Sequence, residues 1–120
     1  MFTIQFTGAE GQLLQEELLT SGMEGKTVRL QFDSSWEDLR KTVVFTAGGV
    51  TRTVEIPAEK IYMTSINVTI PPEVLIGGHR LFVGVYGYYS GIDEATPSVM
   101  VRGPRVRHGA EPLGKIDTGF

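Results

Sequence analysis

Along most of this chain apolar residues recur at every second position. Phe2, Ile4 and Phe6 alternate with Thr3, Gln5 and Thr7; Val28, Leu30 and Phe32 alternate with Thr27, Arg29, Gln31 and Asp33; Ile66, Val68 and Ile70 alternate with Asn67 and Thr69. In an extended chain successive side chains point to opposite faces, so each segment offers one face to a core and one to water. That is the pattern of antiparallel sheet and not of an amphipathic helix. Two further β-rich runs, residues 42–46 and 50–56, flank Ala47-Gly48-Gly49, a short glycine-bearing connection that predicts a hairpin. Residues 80–87 read Arg-Leu-Phe-Val-Gly-Val-Tyr-Gly, apolar on both faces as in a central strand. Residues 98–102 form another short strand after Pro97, and residues 89–94 read as a loop.

Helix signals are sparse. Leu13, Leu14, Leu18 and Leu19 around Gln15-Glu16-Glu17 fit either one face of a short helix or an irregular edge strand closed by the turn at residues 21–25. Pro71-Pro72-Glu73 offers proline and an acid at a helix start, enough for one helical turn before Gly77-Gly78. Seven or eight short strands with glycine-rich turns predict an all-β fold, an immunoglobulin-like antiparallel β-sandwich with at most one or two short helical turns. A small barrel is the structural alternative.

The 120 residues make one domain of ordinary size, which needs no disulfide or metal staple. A hydrophobic fraction of 41% is that of a chain with a core and excludes a disordered one. From Gly103 onward four glycines and two prolines break the pattern, so the sandwich is expected over residues 1–102 and a linker-like tail over 103–120. The longest apolar runs, such as Leu81-Phe82-Val83, fall far short of a membrane span. The start of the chain lacks the basic and apolar regions of a secretory signal, so a cytoplasmic site of synthesis and no membrane association are expected.

The absence of cysteine removes thiol catalysis, thiolate-bound zinc and iron–sulfur clusters. Neither histidine, His79 or His108, has a second ligand at metal-binding spacing, and both lie among glycines. Ser34-Ser35 lacks the glycine elbow of a nucleophilic serine and reads as a turn or cap before Trp36. Asp33, Glu37 and Asp38 lack the alternation and glycine of a calcium loop, and neither Gly48-Gly49 nor Gly77-Gly78 opens a phosphate-binding helix. The expectation is therefore a protein without enzymatic activity, with no catalytic residue, cofactor or metal.

Two sets of residues read as partner-binding. The net charge of -3 conceals a basic end: Arg102, Arg105, Arg107, His108 and Lys115 face only Glu111 and Asp117 after residue 101. Without interleaved aromatics this segment suits a protein partner better than nucleic acid, because guanidinium groups pair bidentately with carboxylates. Tyr88 and Tyr89 follow Gly87 at a strand end, where exposed rings would serve a partner or, together with Tyr62, stack on a host surface glycan. Trp36 and Tyr86 read as core or core-edge residues.

The order of four segments adds a resemblance. Residues 17–26, the block Phe32-Asp33-Ser34-Ser35-Trp36-Glu37-Asp38-Leu39-Arg40-Lys41-Thr42-Val43-Val44-Phe45, then Ile70-Pro71-Pro72-Glu73-Val74-Leu75 and Val83-Gly84-Val85-Tyr86-Gly87 together resemble the amino-terminal domain of baseplate upper, tail-fibre-like proteins of Gram-positive phages and prophages. The resemblance implies an immunoglobulin-like virion module that joins a fibre or receptor-binding protein to the particle, commonly as a homo-oligomer. Its partners would be other virion proteins of baseplate, tail or capsid. It carries over no catalytic residue, and Trp36, Phe45, Pro71 and Tyr86 transfer only as framework positions. The functional expectation is thus a phage structural protein acting by protein–protein contact. Capsid decoration or head-fibre anchoring, and carbohydrate binding for host attachment, are the alternatives.

Overall fold

The computed structural model describes residues 1–88 and 99–108. Tyr89, the loop expected over 89–94 and residues 109–120 lie outside them. The described residues form nine strands, β1 (Phe2–Thr7), β2 (Glu10–Gln15), β3 (Leu19–Thr20), β4 (Thr27–Phe32), β5 (Arg40–Ala47), β6 (Val50–Glu55), β7 (Ser65–Thr69), β8 (Arg80–Tyr88) and β9 (Val99–Arg107). Single 3-10 turns lie at Ser34–Trp36, Ala58–Lys60 and Pro72–Val74. The strands make two sheets, ordered β2-β1-β4-β7 and β3-β9-β8-β5-β6. This is the expected all-β sandwich, with three short helical turns instead of one or two.

Alternation places the core. Phe2, Ile4 and Phe6 of β1 lie level with Val28, Leu30 and Phe32 of β4, and all six are buried. Against them stand Val43, Phe45 and Ala47 of β5 and Leu81, Val83 and Val85 of β8. The β5–β6 hairpin turns at Gly48 and Gly49, whose φ angles of 54° and 84° are those a two-residue turn matched to strand twist requires.

The sheets are not purely antiparallel, contrary to expectation: β1 runs parallel to β4, and β3 parallel to β9. The β1–β2 hairpin adds to the outside of β4, and the chain then crosses to the other sheet at β3, so both pairings arise between segments joined by long connections. The leucine-rich segment settles as the edge strand β2, paired with β1, followed by the two-residue β3 that buries Leu19.

The strand expected over residues 98–102 also runs on, since β9 continues to Arg107. Two residues of β8, from Arg80 to Phe82, span three of β9, from Arg105 to Arg102. The extra residue is a bulge at Gly103-Pro104 that absorbs a proline unable to join the ladder. A Cβ on Gly103 would lie 2.8 Å from the Leu81 carbonyl oxygen, so only glycine lets the strands come this close. Past the bulge, Val106 returns to the core at 1% exposure.

Candidate functional site

The bulge decides what β9 presents to solvent. Strict alternation from exposed Arg102 would turn Arg105 and Arg107 inward; one added residue resets the faces, so Arg102, Arg105 and Arg107 are all exposed. Met100 is exposed as well. Arg105 lies opposite Arg80 of β8, whose Nη1 donates to the Gly103 carbonyl at 2.8 Å, while Arg105 Nη2 donates to the Gly78 carbonyl at 3.3 Å. Among the described residues, none of the three exposed arginines makes an ion pair; the salt bridges there join Glu17 to Lys26 and to the Met1 amino group. An exposed guanidinium row of this kind suits an anionic or carboxylate-bearing partner.

Tyr88 is on the same sheet but far from this row. It pairs with Arg40 at one end of β8, whereas Arg105 pairs with Arg80 at the other. Its hydroxyl donates to Glu55 Oε1 at 3.1 Å, the Arg40 guanidinium stands 5.9 Å from its ring centroid, and Tyr86 lies 6.4 Å away. Tyr88 is thus engaged by neighbours on three strands and is half-buried. Tyr62, at 69% exposure, sits in the connection from the Ala58–Lys60 turn to β7 and shares a shallow pocket with Trp36.

The block around Trp36 has a structural task. Asp33 caps the Ser34–Trp36 turn, its Oδ1 accepting from Ser35 N at 3.2 Å, Ser35 Oγ at 2.5 Å and Gly8 N at 3.3 Å. Those hydrogen bonds, Ser35's first, hold its carboxyl below the usual aspartate range. The turn sets Trp36 against the stacked pair Phe6 and Phe32, with ring centroids 5.9 and 5.5 Å away, and Trp36 Nε1 donates to the Gly8 carbonyl at 2.9 Å. Trp36 and Leu39 then close over Gly87, where a Cβ would come within 3.1 Å of each. The two most distinctive segments of the sequence meet at this contact.

Both histidines are exposed. His79 lies against Gly48 and His108 against Gly77. Among the described residues there is no group of three or more His, Asp or Glu placed to hold a metal ion, and no helix is long and apolar enough to cross a membrane.

A second surface was not signalled by any motif. On the side where β6 and β7 end their respective sheets, an open groove of about 450 Å³ lies between the sheets, floored by Val54, Ile56, Ile66, Val68 and Ile70. The available signal was a lack: residues 61–72 contain no charged side chain. Comparison with protein-family models and with characterised proteins finds no match to this chain.

Proposed function

We propose that this chain is a non-enzymatic structural module of a bacteriophage virion, of the baseplate or tail-fibre adaptor type, which works through protein–protein contacts. The resemblance of its ordered segments supplies the biological setting. The observation that carries the contact itself is the row Arg102, Arg105 and Arg107, held outward on a sheet and free of ion pairs among the described residues. A rigid strand presents such groups with little ordering cost on binding, and guanidinium groups suit interfaces rich in carboxylates. Capsid decoration would use the same contact at another place on the particle.

The test replaces Arg102, Arg105 and Arg107 together by serine. The variant is expected to fold normally, because all three side chains are exposed, and to be lost from purified particles. Incorporation at the wild-type level would overturn the proposal, and imaging of labelled wild-type protein on particles separates baseplate or tail from head.

A further inference from the structure

Among the described residues four strands end the two sheets, and three of them carry a device that discourages pairing with another chain. β3 has only two residues. β2 carries Glu10, and its ladder with β1 is broken by a register shift at Thr3/Ile4. β6 places Arg52 at an inward-facing register position, opposite buried Phe45. Short edges, bulges and inward-pointing charges are the usual protections of sheet edges. β7, Ser65-Ile66-Asn67-Val68-Thr69, has none of them.

The backbone groups of β7 that find no partner strand among the described residues can be named. Phe32 N donates to the Thr64 carbonyl and Ile70 N to the Lys26 carbonyl, both at 2.8 Å. In an antiparallel ladder alternate residues turn both backbone groups to the same neighbour, so residues 64, 66, 68 and 70 face β4. Ser65, Asn67 and Thr69 therefore direct their N–H and C=O groups to the open edge.

From this we infer that β7 is the interface of a two-fold dimer with a second copy of this chain, pairing antiparallel with its counterpart and centred on Asn67. In that register Asn67 faces Asn67, and Ser65 faces Thr69 in both directions. Every outward backbone group of the three residues then finds a partner, about six hydrogen bonds in all. On the inner face Ile66 meets Val68 at the closer, non-hydrogen-bonded positions, and on the outer face hydroxyl meets hydroxyl; both are favourable cross-strand pairs. No like charges oppose each other, since β7 has none, and the groove beside it carries one charge of each sign on its lining, Glu55 and Lys60. The apolar groove floor, otherwise open at the side, would be flanked by the partner's edge. The inference deepens the protein-contact reading by naming one partner and its geometry.

Sedimentation equilibrium of the full chain, from micromolar to near-millimolar, tests it. The wild type is expected to dimerise. Asn67→Pro, which removes an N–H that bonds nothing in β4, is expected to weaken dimerisation more than about tenfold while circular dichroism shows the fold retained. Asn67→Lys and Asn67→Asp, which keep every backbone donor, are each expected to be monomeric and to dimerise when mixed, because only this register sets residue 67 opposite itself. These charge variants decide the matter should Asn67→Pro fail to fold. A wild type monomeric throughout, variants that dimerise like the wild type, or a mixture that stays monomeric would each overturn the inference. A monomeric wild type that still enters particles would leave the adaptor reading standing.

Discussion

Lys41 occupies an inward-facing position of β5, and its ammonium donates to the carbonyls of Leu39 at 2.9 Å and Ile61 at 3.2 Å while standing 5.1 Å from the Phe32 ring centroid. Burial lowers the lysine's pKa, and the nearby Asp38 charge opposes this without cancelling it. With the folded-state value depressed, the unfolded chain binds more protons through the alkaline window up to the ordinary value of about 10.4, so stability rises with pH there. Lys41→Met removes the titration. The stability of the wild type relative to Lys41→Met is therefore expected to improve as pH rises through that window, measured by urea unfolding at each pH. A difference that stays flat would show that the ammonium pays no burial cost. Gly103 makes the complementary case, a residue chosen for what it lacks. With the Leu81 carbonyl oxygen 2.8 Å from the site of a Cβ, Gly103→Ala is expected to destabilise the fold by about 1–3 kcal/mol in thermal or denaturant unfolding. Neither environment was visible in the sequence, where Lys41 fell just before the β-rich run at residues 42–46 and Gly103 read as the start of a tail.

At the level of elements, β9 departs most from its sequence pattern. Its first part, Val99 to Arg102, was legible as a strand; its second part was hidden, because a bulge shifts the alternation by one residue and Gly-Pro ordinarily marks an end. The candidate arginines were named from charge alone, but their common exposure follows from the bulge. The continuation holds the fold together, since Val106 is in the core, Val106 N donates to the His79 carbonyl and Leu19 of β3 pairs beside Val106. Deleting residues 109–120 is expected to leave a cooperative unfolding transition, because that glycine- and proline-bearing stretch carries no strand period. Deleting residues 104–120 is expected to abolish it, by removing a buried strand segment from between β3 and β8. Retention of a wild-type transition in the longer deletion would show that the second half of β9 is dispensable.

For the whole molecule, the period-two pattern was enough to specify an all-β chain and the inward residue sets of β1, β4 and β7, because the side-chain direction of an extended segment is a local property. The Gly48-Gly49 turn and the single turn after Pro71 were legible for the same reason, each resting on the backbone preferences of adjacent residues. Which strands become neighbours is not local. Any strand with one apolar face can pair with any other, so the parallel pairings of β1 with β4 and β3 with β9, and the choice between helix and edge strand for the leucine-rich segment, were decided by how the two sheets close over one core. The β7 edge belongs wholly to this second class: the uncharged sequence of residues 61–72 is compatible with a central strand, and it becomes a docking surface only because nothing described pairs with its outer side. Local stereochemistry wrote the strands and their faces into the sequence, whereas edges, grooves and the outward arginine row exist only once distant segments have taken their places, because each is defined by a neighbour that is present or absent.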